Sequence, residues 1–254
     1  MNILYRNKKW LRYKYKDEKL STRKIGKLCN VTHATIIETM KKYNIPRRSN
    51  SEGIHLARGN HCNLSQEAIY WMNGELLGDG CLQSCSIYTA CFQYGSKYKE
   101  YIEYVKDKLE YYGIKGKTHK VKNKRSRDYC YAYYSKSYPE LLPIRKQWYP
   151  EGKKIVPKDI LLTPLVCRQW YIGDGSLSLI RKRNPNPRIR LATCGFTILD
   201  VKWLVEQLNK LKFKTTRQPQ KNIVSISTYS TKEFLEYIGV CPVKCYQYKF
   251  VNNT

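Results

Sequence analysis

The chain is expected to be an α+β protein, with two pseudo-symmetric α-β-β-α-β-β-α repeats preceded by a small all-α unit. Three observations predict this. After residue 65 the order of helical and strand-like segments runs once and then starts again. The tripeptide Gly-Asp-Gly closes an apolar helical pattern in each copy, first in MNGELLGDG (Met72 to Gly80) and then in CRQWYIGDG (Cys167 to Gly175). The first 50 residues carry helical periodicity and capping residues of their own.

Taken in order, residues 1–50 read as three helices. The segment YRNKKWLRYKY predicts a first helix with Trp10, Leu11 and Tyr15 inward. Ser21 is placed to cap a second, with Ile25 and Leu28 inward, and Asn30-Val31 makes a tight turn. Thr32 caps a third, whose Ile36, Ile37 and Met40 lie at helical spacing, ending near Asn44 before Pro46. Short helix, tight turn and polar-fronted helix make a helix-turn-helix pattern, and STRKIGKLCNVTHATI resembles that of resolvase-like DNA-binding modules. Thr32, His33 and Thr35 would then meet base edges. Residues 51–64, with the preceding Arg47 and Arg48, read as a basic linker able to lie along a polyanion.

The first repeat spans 65–150. Ser65 caps a helix through Tyr70, Met72, Leu76 and Leu77; two short strands follow, then a helix with the stripe Tyr101, Ile102, Val105, Leu109 and Tyr112, stopped by Gly113. Two strands flank the basic turn KNKRSRD, and a helix near Tyr138 to Ile144 closes the unit. A connector, 151–162, leads to the second repeat, 163–254. There Thr163 caps, Pro164 takes the first helical position, strands flank NPNP, a long helix follows, strands flank Pro219-Gln220-Lys221, and a last helix stops at Gly239.

Lys plus Arg is 47 against 20 Asp plus Glu, a net charge of +27 that points to a polyanionic partner. A membrane partner is not expected, because no apolar run approaches the roughly 18 residues needed to span. No secretory signal pattern opens the chain, so an intracellular site (cytoplasm, nucleoid or organelle matrix) is expected. The ten cysteines include no Cys-x-x-Cys pair; the expected state is reduced, mostly buried thiols, with a structural zinc site as the alternative.

A carboxylate at the tip of an apolar helix is costly unless it is paired, hydrogen-bonded or holding a metal. Asp79 and Asp174 both sit there, one per repeat. Gly74 and Gly78 leave one face of the first helix without side chains, which permits close approach of a partner helix. The second helix matches this at Gly173 but carries Gln169 at the other position, so its face is bulkier. Phosphodiester hydrolysis needs a positioned water, a way to make it nucleophilic and charge neutralisation at the scissile phosphate, and paired carboxylates holding Mg²⁺ or Mn²⁺ provide the last two. The carbonyls of Gly78 and Gly173, one residue before each acid, are candidate further ligands.

On these motifs, with the flank LTPLVCRQWYIGDGS and the ending YIGVCPVKCYQYKF, the chain resembles a single-chain, two-repeat LAGLIDADG homing endonuclease over roughly 65–250. The resemblance implies a DNA-binding saddle whose sheets enter the major groove, with motif helices meeting at a pseudo-dyad. It makes Asp79 and Asp174 the metal-holding catalytic acids, and Lys154 and Lys249 the pocket lysines that organise water and stabilise charge. Gln93 is a weaker pocket candidate.

Alternation along the strands gives one face to the core and one outward. The candidate DNA contacts are Gln83, Lys117, His119, Lys120, Lys122 and Arg125 in the first repeat, and Arg181, Arg183, Arg188, Arg190, Arg217, Gln218 and Gln220 in the second. Two unlike repeats imply a long asymmetric double-stranded target, bound by a monomer. The expected function is therefore a site-specific DNA endonuclease, intron-encoded or free-standing. The alternatives are an intron RNA maturase of the same fold and a DNA-binding regulator.

Overall fold

The computed structural model describes residues 3–50, 52–54, 59–122, 129–178 and 187–250. The chain divides into two compact units, Met1–Gly59 and Asn60–Thr254, each with its own apolar cluster.

In the first unit, α1 (Lys8–Arg12) continues through a π-helical turn, Tyr13–Asp17, and is followed by α2 (Thr22–Cys29) and α3 (His33–Lys42). Ser21 Oγ accepts from Lys24 N at 3.2 Å and Thr32 Oγ1 from Thr35 N at 3.2 Å, so both expected caps form. Asn30 takes the left-handed conformation, φ 53°, and turns the chain from α2 into α3. A Cβ on Gly26 would lie 2.7 Å from Val31 O, so only glycine lets the turn close onto α2. This explains one departure from expectation. The inward face of α2 is Ile25, Gly26 and Cys29, and Leu28 is 55% exposed. The core of this unit is Leu11, Tyr15, Ile25, Cys29, Ile36, Met40 and Ile45.

The second unit contains the expected repeat. The first half runs α4 (Gln66–Leu77), β1 (Cys81–Ser84), β2 (Ala90–Ser96), α5 (Lys99–Tyr111), β3 (Gly116–Lys122), β4 (Tyr129–Ser135) and α6 (Leu141–Trp148). The second runs α7 (Pro164–Asp174), β5 (Gly175–Ser178), β6 (Arg188–Leu191), α8 (Ile198–Lys210), β7 (Thr215–Gln218), β8 (Ile223–Ile226) and α9 (Thr228–Ile238). Ser65 and Thr163 cap α4 and α7 as expected. The helix α6 begins three residues later than expected. Tyr138 instead bridges Ala90, and its hydroxyl accepts from Lys115 N at 2.7 Å. The linker expected over 51–64 is partly tied down: Asn60 donates to Ser137 O and His61 pairs with Glu140.

Each half forms a four-stranded antiparallel sheet of the same topology, β1-β2-β4-β3 and β5-β6-β8-β7. The register fixes which side chains share a face. In the first sheet Leu82 opposes Phe92 and Tyr94 opposes Tyr133, and all four are buried beneath the helices. In the second, Ile189 opposes Ile226 and Leu191 opposes Val224, again fully buried. One continuous core joins both halves, from Trp71, Phe92 and Tyr101 to Trp170, Leu204 and Phe234. The fold is therefore α+β with two repeated halves, as the sequence predicts.

Candidate active site and nucleic-acid interface

The two halves meet along α4 and α7. Both helices are buried over most of their length: Trp71 to Leu77 on one, and Val166, Cys167 and Gln169 to Ile172 on the other. A Cβ on Gly74 would lie 2.6 Å from Val166 O and 2.7 Å from Gln169 Cβ. The bulk of Gln169 is thus received in the space that Gly74 leaves open, and the seam stays tight. At the far end a Cβ on Gly78 would sit 3.4 Å from Gly173 Cα, and one on Gly173 would sit 3.2 Å from Asp79 N. The two acids therefore leave adjoining stretches of backbone, at the C-terminal ends of both motif helices. Asp79 is exposed and Asp174 half-buried.

A lysine stands behind each acid. Lys154 Nζ donates to Gly78 O at 3.2 Å and Gly80 O at 3.0 Å. Lys249 Nζ donates to Ile172 O at 2.6 Å and Gly173 O at 3.2 Å. Helix C-terminal carbonyls lack partners of their own and carry the negative end of the helix dipole, so an ammonium is a suitable cap. The same device occurs once at each motif helix. The carbonyls expected as further ligands, those of Gly78 and Gly173, each accept from a lysine.

The Asp174 carboxyl is raised from 3.8 to about 7, by burial first and by Asp79 second, with Lys154 and Lys249 opposing both. Asp79 is raised by burial and lowered by Lys249 and Lys154. Both lysines are lowered by burial and held up by the acids. Two ammonium groups thus do not cancel the cost of bringing two carboxylates together. A hard divalent cation would, and the donors here are all oxygens, so Asp79 and Asp174 fit Mg²⁺ or Mn²⁺. Among the described residues no group of three or more His, Cys, Asp and Glu is placed to hold a metal; this site is a carboxylate pair.

The LAGLIDADG DNA endonuclease family matches residues 69–234, which contain both Gly-Asp-Gly motifs and both sheets. The chain belongs to this family. An uncharacterized protein of Methanocaldococcus jannaschii is 30% identical over 203 residues, 78% of this chain and 76% of its own length. The cytochrome b mRNA maturase bI2 of Debaryomyces hansenii is 34% identical over 83 residues, covering 32% of this chain and 29% of the maturase. Among solved structures, the homing endonuclease I-WcaI bound to its DNA recognition sequence superposes with a TM-score of 0.68 at 21% identity, over 84% of this chain and 99% of that one.

In this LAGLIDADG fold the sheet face turned away from the helices is the one free to meet a ligand. Register places Gln83, Gln93, Lys117 and His119 on it in the first half, with Cys81, Cys91 and Tyr134. It places Arg188, Arg190 and Gln218 on it in the second, beside Ser176, Ser178 and Thr216. Gln220 is exposed in the turn between β7 and β8. Three expected contacts fall on the other face. Lys120 and Lys122 oppose Tyr131 and Tyr129, sharing the face of buried Tyr133, and Lys120 Nζ lies 4.0 Å from the Tyr129 ring centroid. Arg217 opposes buried Val224 and donates to Asn222 Oδ1. A strand's period of two allows only alternate residues on one face, so a run of basic residues cannot all face the same ligand. Arg125, Arg181 and Arg183 lie outside the described residues.

In the first unit His33 and Arg47 are exposed. Thr32 is exposed at the start of α3, with its hydroxyl shared between the cap and Thr35 Oγ1 at 3.0 Å. Arg48 is a correction. Its guanidinium donates to the carbonyls of Tyr15, Lys19 and Leu20 and stacks 4.1 Å from the Tyr15 ring centroid. Those orphan carbonyls at the end of the first helix hold it as an internal cap, away from any external partner.

Sequence reasoning passed over Glu75. It is fully buried in the seam, its Oε1 accepting from Gln169 Nε2 at 2.6 Å and Tyr101 Oη at 2.7 Å. The available signal was a carboxylate in the middle of an apolar run, four residues before Asp79, an acid already singled out for being costly to bury.

Proposed function

We propose that this protein is a site-specific DNA endonuclease that cuts both strands of a long asymmetric duplex with the aid of a divalent cation, acting as a monomer. The single observation that supports this reading is the apposition of Asp79 and Asp174 at one seam, each backed by a lysine, Lys154 from the connector and Lys249 from the second half. Binding alone has no use for two carboxylates brought together at one seam.

Mg²⁺ or Mn²⁺ bound by Asp79 and Asp174 would supply Lewis-acid stabilisation of the phosphate charge and lower the pKa of an attacking water. The remaining chemistry belongs to the chain itself. Lys154 and Lys249 hold the C-terminal turns of α4 and α7 and set positive charge beside the position of the scissile phosphates. The outward sheet faces, led by Arg188 and Arg190 on one half and by Gln83, Lys117 and His119 on the other, position the duplex and read major-groove edges. Their different chemistry makes the target asymmetric. The helix-turn-helix reading of α2 and α3, with Thr32, His33 and Arg47, adds a contact at one flank.

The 83-residue likeness to a maturase favours one alternative, that the protein helps an intron RNA to splice. The test is incubation of the protein with DNA from its host lineage and with randomised duplexes, in Mg²⁺ or in EDTA. Metal-dependent double-strand cleavage at one sequence supports the nuclease. Binding without cleavage supports a regulator, and accelerated splicing of a host intron without cleavage supports the maturase. A gene lying within a group I intron would identify the insertion site as the target.

A further inference from the structure

A helix face built of glycines allows close approach but offers no register, because a surface without side chains can slide as well as pack. Something else must fix α4 against α7 along the seam. Little more than one turn before the acids lies a buried polar cluster. Glu75, Gln169 and Tyr101 are all 0% exposed. Gln169 Nε2, from α7, donates to Glu75 Oε1, on α4, at 2.6 Å. Tyr101 Oη, from α5, donates to the same oxygen at 2.7 Å and lies 3.5 Å from Gln169 Nε2.

A buried carboxyl and a buried amide are costly without partners, so they penalise any arrangement that separates them. Sliding α7 by a residue or rotating it would leave the Gln169 amide unmet in an apolar seam and strip Glu75 of its donor from the opposite helix, with Tyr101 still bonded to it. The cluster also occurs once. Under the internal repeat Gly74 corresponds to Gln169 and Glu75 to Trp170, so acceptor and donor are not duplicated. Gln169 Cβ lies in the space over Gly74, a knob and a hole with one orientation. Two copies of α4 would set glycine on glycine and bury two carboxyls without an amide; two copies of α7 would set glutamine on glutamine. Like halves of two chains are thus disfavoured against the two unlike halves of one.

We propose that Glu75, Gln169 and Tyr101 are positioning residues, a one-way key that sets the register of the motif helices and through it the placement of Asp79 against Asp174. The consequence for cleavage rests on the nuclease reading; the key itself rests on the seam.

The test compares full-length wild type with Gln169→Leu, which keeps the bulk and removes the donor, and with Glu75→Gln, which keeps an acceptor oxygen. Gln169→Asn, whose amide falls short of Glu75, replaces the first should it fail to fold. Amide hydrogen exchange is followed in peptides covering 72–80 and 167–175, with α8 and α9 as internal references. Cleavage is followed in single turnover at saturating DNA. Gln169→Leu is expected to raise exchange about tenfold in both seam peptides and to leave the references unchanged. It is expected to slow cleavage about 10- to 100-fold with DNA affinity within about threefold of wild type. Glu75→Gln should stay within about threefold of wild type in both readouts. Unchanged seam exchange in Gln169→Leu, exchange raised equally everywhere, or Glu75→Gln as impaired as Gln169→Leu would each overturn the key. The expected exchange pattern in a protein that cuts no duplex would support the key and remove the nuclease reading.

Discussion

Asp174 is held at a cost to the fold, and that cost is measurable. In the unfolded chain its carboxyl ionises near 3.8, in the folded protein near 7. Folding therefore takes up a proton between those values. The stability this group contributes is fully present below pH 3.8 and is lost as pH rises through 7. Asp174→Asn, which has no charge to bury, should be more stable than wild type at pH 8 by about 2 kcal/mol, and the difference should vanish near pH 4. Thermal melts of both proteins in metal-free buffer across this range check it; a variant less stable at pH 8 would contradict the burial argument. The acids and lysines were legible in the sequence because the repeat marks each twice. Glu75 was not, because one glutamate inside a helix looks like an ordinary helix former until its seam partner is known. Arg48 was misread for a related reason. A basic run does not reveal which arginine turns inward to the carbonyls of Lys19 and Leu20.

The elements repeat in order, and their boundaries follow the caps at Ser21, Thr32, Ser65 and Thr163. What the strands withheld was parity. Alternation in β3 separates Lys117 and His119 from Lys120 and Lys122, but only the pairing with buried Tyr133 tells which pair lies on the helix-covered side. The same reasoning separates Arg188 and Arg190 from Arg217. Replacing Arg188 and Arg190 together by Gln should weaken DNA binding and make it less salt-dependent by about two charges' worth of slope, whereas Arg217→Gln should change both far less. Equal effects from the two substitutions would contradict the assigned register. In the seam, Gly74→Ala places a methyl 2.6 Å from Val166 O and 2.7 Å from Gln169 Cβ, against backbone and the root of a side chain. Overpacking there should cost about 1–3 kcal/mol in denaturant melts and slow cleavage as well. A neutral outcome would contradict close packing at Gly74.

At the scale of the whole molecule, a net charge of +27 sets how the protein meets its partner. If about ten phosphates are neutralised, the logarithm of affinity should fall against the logarithm of salt with a slope near −9. A slope shallower than about −3 would not fit an extended footprint. The two units have separate cores, so the part from Asn60 onward should fold without the first. Removing residues 1–59 should shorten the footprint and weaken binding while leaving the cut positions where they are, as read by footprinting and end-mapping of products.

Cleavage by this protein requires the joint action of two carboxylates at one seam. The decisive measurement is sequence-selected cleavage of duplex DNA by wild type, Asp79→Asn and Asp174→Asn in Mg²⁺ and in EDTA. The expected result is double-strand cutting by wild type in Mg²⁺ alone, with cutting lost in either variant while binding persists. Undiminished double-strand cleavage by either variant, or by wild type in EDTA, would contradict it.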